Sequence, residues 1–321
     1  MAYYQRKISI YPYPRLRTSL VLILTLFFLN MGCSSEENQT LSNPNTLAAG
    51  QNSAVGQQSK TLHIAVIPIQ SSQAQAKQLK ILDEYLEKTI RRKFNIHVQP
   101  DYDTAINLLV TEQVQIAYLG SLSYVKAKQK NPNIEPILAP INKATGRPWH
   151  TSMIIANSAH IKSVKDLTNK RFGFVSKSST TGFLIPWVEL FKKEEIDPDK
   201  TFSEVQFLGS HDQALEALIA DEVDAVAVQQ EAYFKAQSEN KLPQAKYVKI
   251  WESSPLPTDP IVISSKLDQK LIYSLKKALI DAPNAIVSVS GAEIVGYTLV
   301  DDMNYEPIRQ LQTKLDENTP N

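Results

Sequence analysis

Two stretches of this chain, 109 residues apart, carry one pattern. Ala105-Ile-Asn-Leu-Leu-Val-Thr-Glu-Gln-Val-Gln-Ile-Ala-Tyr-Leu119 aligns without gaps to Ala214-Leu-Glu-Ala-Leu-Ile-Ala-Asp-Glu-Val-Asp-Ala-Val-Ala-Val228. Ala105/Ala214, Leu109/Leu218 and Val114/Val223 are identical, and most other pairs are similar. Each copy reads as a helix, a polar turn and a buried strand. Two common helix–strand units can also match by chance, so the echo suggests two similar lobes without requiring them. Further apolar runs support strands at Thr61–Ile67, Ser152–Ala156, Arg171–Val175, Val205–Leu208 and Ile261–Ile263, with Ile116–Leu119 and Ala225–Val228 inside the echo. Leu79, Leu82, Leu86, Ile90 and Phe94 recur at helix spacing. Strand–helix alternation predicts an α/β fold: two similar lobes, each a mostly parallel sheet flanked by helices. Ligands of open α/β sheets sit beyond the carboxyl ends of strands. Tyr118-Leu119-Gly120-Ser121 and Gln229-Gln230-Glu231 would then face a shared cleft.

The first 32 residues stand apart. Arg6, Lys7, Arg15 and Arg17 precede the apolar run Leu20–Leu29, with no acid among them. The run is too short for a bilayer, which needs about 20 residues. A basic segment, a short apolar core and the small Gly32 before Cys33 resemble a bacterial lipoprotein signal. Residues 1–32 read as that signal, and Cys33, the single cysteine, as the lipidated residue. Asn30 departs from the pattern, and an ordinary cleaved signal with an incidental cysteine is the alternative. Either reading exports the chain. Lipidation would hold it on a bacterial membrane, facing the periplasm or cell exterior. Residues 33–60, rich in Ser, Asn, Gln, Gly and Ala, read as a flexible tether with a reach of roughly 30 Å. Loss of the signal removes four of 34 basic and none of 33 acidic residues, leaving a net charge of −3. That is no basic footprint for nucleic acid.

Three segments carry chemistry. In Lys170–Pro186 a strand runs into a helix through Ser178, Ser179, Thr180, Thr181 and Gly182. Free N–H groups and the positive dipole end of a helix bind anions. One N-cap needs one hydroxyl, and four are present. Gly182 would let a ligand approach the backbone. In Leu208–Ile219, Ser210 and Gln213 form a capping box and place His211 in the first helical turn. A capping or surface role for His211 stands beside ligand contact. In Ser253–Pro260, Asp259 lies between turn-forming prolines, and an Asx-turn is its simplest role.

Together, residues 62–300 resemble the phosphonate- and phosphite-binding proteins of ABC importers, within the two-lobed type II periplasmic binding proteins. The motifs are Gly120–Val125 after a strand, Ser179–Gly182 opening a helix, Gly209–His211, Val223–Ala225 and Asp259-Pro260. The resemblance implies that Ser179, Thr180 and Thr181, with Ser178 beside them, hold phosphorus oxygens and that His211 contacts ligand. It puts Glu231 and Asp259 at the far side of the pocket. Ser121, Tyr118 and Tyr124 belong to the contact loop of the other lobe, and which tyrosine touches ligand stays open. Pro68–Gln73 lacks the aromatic common near this turn in the family. The implied chain path is one lobe over 61–147 plus 261–321, the other over 148–260, and a two-crossing hinge.

The expected function is a substrate-binding component that captures a small phosphorus oxyanion (phosphonate, phosphite or phosphate) and delivers it to an ABC permease. No cofactor or metal is called for: His63, His97, His150, His160 and His211 are scattered. A ligand-sensing subunit for a membrane signalling partner is one alternative. An exported serine hydrolase built on Ser179, His211 and Asp259 is another, though Gly-x-Ser-x-Gly is absent.

Overall fold

The computed structural model describes residues 61–70, 72–143, 145–264, 266–283, 289 and 294–317. The signal, Cys33 and the tether lie outside the described residues.

Two sheets form the frame. The first contains β1 (Leu62–Val66), β2 (Phe94–Val98), β3 (Ile116–Tyr118), β4 (Glu135–Asn142), β12 (Ile261–Ile263) and β13 (Ile294–Leu299) in the order β13-β4-β12-β3-β1-β2. The second contains β6 (Ser152–Asn157), β7 (Arg171–Phe174), β8 (Glu204–Phe207), β9 (Ala225–Gln229) and β10 (Tyr247–Glu252) in the order β10-β6-β9-β7-β8. A two-stranded ribbon, β5 (Trp149–His150) against β11 (Leu256–Pro257), carries both crossings between them.

The sheets are mixed rather than mostly parallel. β2-β1-β3 and β8-β7-β9 are parallel, whereas β12, β4, β13, β6 and β10 pair antiparallel. The cause is the split chain path. β6 and β12 enter their sheets from the ribbon, where the carboxyl ends of β9 and β3 lie, so they run the opposite way. The order and directions of β2-β1-β3-β12-β4 therefore match those of β8-β7-β9-β6-β10.

The internal echo is structural. It comprises α2 (Tyr102–Val110) with β3, and α5 (His211–Ile219) with β9. Asp101 caps α2 by accepting the Thr104 N–H at 2.7 Å, and Ser210, 109 positions on, caps α5 by accepting the Gln213 N–H at 3.2 Å. Both copies leave the helix through a left-handed residue at the same aligned position, Glu112 (φ 59°) and Asp221 (φ 60°). α1 (Ser72–Ile90) buries Leu79, Leu82 and Leu86 as the spacing predicts. It ends earlier than expected: Arg91 turns left-handed at φ 57°, and Phe94 is the first residue of β2.

The hydroxyl-rich helix is π-helical over Thr180–Leu184 and Pro186–Phe191. Its wide turns, such as Leu184 N–H to Ser179 O at 3.1 Å, accommodate Pro186, which has no N–H to give. Gly182 serves packing: a Cβ there would stand 2.5 Å from Val175 Cβ, so the helix can lie against β7 only without a side chain. The remaining helices are α3 (Ser121–Lys130), the single turn α4 (Pro198–Thr201), α6 (Gln230–Ser238), α7 (Gln269–Ile280) and α8 (Glu306–Asp316). α8 bonds to both lobes, through Gln312 Nε2 to Gln129 Oε1 at 3.1 Å and through Lys192 Nζ to the Lys314 carbonyl at 2.6 Å.

Candidate ligand-binding site

Two helix N-termini meet between the sheets. α3 starts where β3 ends, at Gly120, which has no side chain to cap it. The π-helix starts at Thr180, where Ser179 Oγ accepts the Gly182 N–H at 3.1 Å. Leu122 N–H, in the first turn of α3, donates to Thr180 Oγ1 at 2.8 Å. Ser121 N–H donates to Asp259 Oδ1 at 3.3 Å, and Ser121 Oγ donates to the Pro257 carbonyl at 2.8 Å. The positive ends of both helix dipoles therefore converge on a region whose hydroxyls are buried. This arrangement favours an anion.

A small cavity lies beside it. Its walls include Tyr118, Asn142, His150, Gln229, Glu231, Thr258 and Asp259, with Pro140 and Ile294 as the aliphatic part. Its volume of about 20 Å³ suits about one water. The lobes are thus closed on each other. Asn142 Nδ2 donates to Glu231 Oε1 at 2.5 Å across the cleft, while Glu231 Oε2 is shielded from solvent and has no hydrogen-bond partner. Burial pushes the Glu231 carboxyl up to about 7, against hydrogen bonds from its own backbone, Asn142 and Gln230. Asp259 is also raised to about 7, by burial first and by the Glu231 charge second, while the Ser121 N–H opposes the shift. Two carboxyls near neutrality in one pocket can give or take a proton close to pH 7.

His211 is buried at the start of α5. Its Nδ1 accepts the Gln229 N–H at 3.2 Å, which places the proton on Nε2. Burial, reinforced by nearby His150, lowers it to about 3. It is therefore a neutral donor at pH 7, not an imidazolium.

The structure brings together Tyr118, Ser121, Ser179, Thr180, Thr181, His211, Glu231 and Asp259. All are buried except Glu231, which is half-buried. It moves two expected ligand contacts elsewhere. Tyr124 points its hydroxyl to Asp302 Oδ1 and its ring against Tyr305, on the α8 side, so Tyr118 is the tyrosine of the cavity. Ser178 Oγ donates to Asp103 Oδ1 at 2.6 Å and accepts from Lys126 Nζ at 3.1 Å. That triad clasps one lobe to the other, as does Ser123 Oγ donating to the Ser178 carbonyl at 2.8 Å. Ser179, His211 and Asp259 form no relay, because each side chain bonds elsewhere: Ser179 to Gly182 and Tyr102, His211 to Gln229, Asp259 to Ser121.

Sequence reasoning missed Tyr102, Asn142 and His150. Tyr102, in the first turn of α2, reaches Ser179 across the cleft, at the start of the π-helix. His150 had a readable cue. In a short strand its neighbour Trp149 is 43% exposed, so period-2 alternation turns His150, 3% exposed, inward.

Two similar α/β lobes, a ribbon of two crossings and converging helix N-termini over a buried pocket define a two-lobed binding protein. The family model for the periplasmic substrate-binding protein of ABC phosphonate transporters matches residues 64–305. The chain belongs to that family. It is 28% identical over 265 residues to the phosphonates-binding periplasmic protein of Escherichia coli K12, covering 79% of this chain and 77% of that one. It is 28% identical over 174 residues to the phosphate-import protein PhnD of Mycolicibacterium smegmatis, covering 52% and 54%. The fold is similar to that of a binding protein component of an ABC phosphonate transporter from Pseudomonas aeruginosa, with a TM-score of 0.72 at 23% identity, covering 78% of this chain and 85% of that one. It is likewise similar to PhnD1 of Prochlorococcus marinus, solved with methylphosphonate, with a TM-score of 0.71 at 20% identity, covering 80% and 98%. The protein is a substrate-binding component of an ABC transporter.

Proposed function

We propose that this chain captures a small phosphorus oxyanion, a phosphonate, phosphite or phosphate, between its lobes, and that Cys33 carries a lipid that holds it beside the permease. The observation that carries the ligand class is the meeting of the two helix N-termini at Thr180 and Leu122, with Asp259 on the adjacent Ser121 N–H. Thr180, Thr181, Ser179 and the Nε2–H of His211 supply neutral donors. A ligand P–OH shares a proton with Asp259. Sulfate at neutral pH brings no such proton, so Asp259 must take one from solvent.

Calorimetry of the exported domain against phosphite, methylphosphonate, phosphate and sulfate tests this. Binding of at least one phosphorus ligand, with sulfate weaker and falling about tenfold per pH unit above 7, is expected. Equal binding of sulfate and the phosphorus ligands at pH 8 contradicts the role of Asp259. For the anchor, Cys33→Ser is expected to abolish labelling by radioactive fatty acid and to release the protein from membranes; retained labelling removes Cys33 as the site.

A further inference from the structure

The end of lobe 1 farthest from the cleft is basic, and the tether joins the lobe there. β1, β2 and β3 start together at this end, in parallel register, and β12 runs back to finish beside them. At its other end β1 leads to Gln70, which accepts a hydrogen bond from Lys235 of lobe 2 at 3.0 Å. Arg91-Arg92-Lys93 forms the turn before β2, and the Leu62 N–H donates to the Lys93 carbonyl at 2.9 Å. Lys266 follows β12, and Lys270 stands in the first turn of α7. Arg92 and Lys266 share an open groove of about 660 Å³ with Thr61, the first residue after the tether. Glu112 pairs with Lys266, and Asp268 caps α7 by accepting the Lys270 N–H at 2.9 Å. Five cations less two acids leave +3 here, whereas the exported chain as a whole is −3. The adjoining ends of α1 and α3 add Lys88, Lys128 and Lys130 against Glu87 and Glu135.

Helix dipoles account for part of this charge. Cations in the last turn of a helix are favourable, which explains Lys88, Lys128 and Lys130. Lys266 and Lys270 stand instead at the start of α7, where a cation is disfavoured. Lobe 2, built alike, has no such end. Its turn before β8 is Phe202-Ser203, and its turn aligned with Thr111–Gln115 carries Asp221, Glu222 and Asp224. We infer that this end of lobe 1 docks on anionic phospholipid headgroups. The inference rests on the reading of residues 1–60 as an export signal, an anchored Cys33 and a tether. A tether reaching roughly 30 Å lets Thr61 settle within a Debye length of the bilayer, about 8 Å at physiological salt. Each Lys or Arg held there strengthens partition about fivefold. The cleft then stands at least the length of β1, roughly 17 Å, away from the headgroups and stays clear for ligand.

The test is vesicle sedimentation of the exported chain with Cys33→Ser, so that no lipid on the protein contributes. Vesicles of phosphatidylglycerol and phosphatidylcholine in equal parts are compared with phosphatidylcholine alone. Partition at low salt should be at least about fivefold stronger onto the anionic vesicles and should vanish at about 0.5 M salt. The Arg91→Asn, Arg92→Ser, Lys93→Ser variant should weaken it at least about tenfold; asparagine is chosen because residue 91 is left-handed, at φ 57°. Lys266→Ser with Lys270→Ser should weaken it at least about fivefold, and serves if the first variant fails to fold. Lys77→Ser with Lys80→Ser removes two exposed cations from the half of α1 nearer the cleft and should change it less than about threefold. Equal partition onto neutral and anionic vesicles overturns the inference. So does undiminished partition in both basic-end variants, or an equal loss in the Lys77, Lys80 control. Fatty-acid labelling of Cys33 reads the anchor separately. Labelling with no anionic preference sinks the docking alone, and anionic preference without labelling leaves the docking and removes the anchor.

Discussion

Replacing Thr180 by valine separates closure from ligand contact. Valine keeps the β-branched shape and removes the hydroxyl. In the closed protein, buried Thr180 Oγ1 accepts the Leu122 N–H at 2.8 Å. Valine leaves that N–H unpaired, at a cost of about 1–3 kcal/mol. The cost falls on the closed form, because water reaches the amide when the lobes part. Binding draws on the closed population, so the apparent Kd rises by about 5- to 140-fold from this contact alone. A lost hydrogen bond to the anion adds about 1.5–3 kcal/mol. The combined loss of about 2.5–6 kcal/mol predicts at least about 60-fold weaker binding. Thr180→Ser keeps the hydroxyl and should stay within about tenfold of wild type. Calorimetry with methylphosphonate and phosphite reads the affinity. Solution scattering reads closure, as a smaller radius of gyration when ligand saturates. Thr180→Val binding within about threefold of wild type would refute both the clasp and the anion contact.

Four further outcomes follow from the same geometry. Asp259 and Glu231 have carboxyls raised to about 7, so each contributes stability that is present below its unfolded pKa and lost as pH rises through 7; Asp259→Asn should flatten the fall of the ligand-free melting temperature between pH 4 and 7, measured by calorimetry. His150 and His211 are lowered to about 4 and 3 and oppose this, contributing stability above about 6.5 that is lost as pH falls through those values, so the Asp259→Asn, Glu231→Gln double variant should gain stability from pH 4 to 6.5. Lys126 donates to the Lys177 carbonyl at 2.9 Å and to Ser178 Oγ; Lys126→Ala should weaken all ligands alike by about 2- to 5-fold, about 0.5–1 kcal/mol, with wild type and variant converging at high salt. Gly182→Ala forces a Cβ into Val175 and should cost about 1–3 kcal/mol, visible as a melting temperature several degrees lower.

The local devices of this protein are written in its sequence. Asp101 and Ser210 cap helices, the apolar runs form β1, β3, β6, β7, β8, β9 and β12, and Ser179 opens the hydroxyl-rich helix. Each follows from spacing and from side chains that bond within a few residues. The echo at 109 residues was legible for the same reason, since both copies solve one local problem of helix, left-handed turn and strand. The sequence pattern does not single out β2, β4, β5, β10, β11 or β13, and the apolar spacing of α1 predicts one turn more than the helix has. At Phe94 a helical period continues by chance into a strand, and a left-handed Arg91 is not visible in composition. Tertiary structure decided which hydroxyls face what. Ser178 and Tyr124 stand a few residues from Thr180 and Tyr118, yet lobe closure gives Ser178 to Asp103 and Lys126, and the turn before α8 takes Tyr124. Only the folded chain brings Asn142, His150 and Glu231 around one cavity, from a strand end, the hinge ribbon and a helix start. The raised proton affinity of Glu231 and the lowered one of His150 come from burial, which no local pattern specifies, because the walls that exclude water are contributed by segments far apart in the chain.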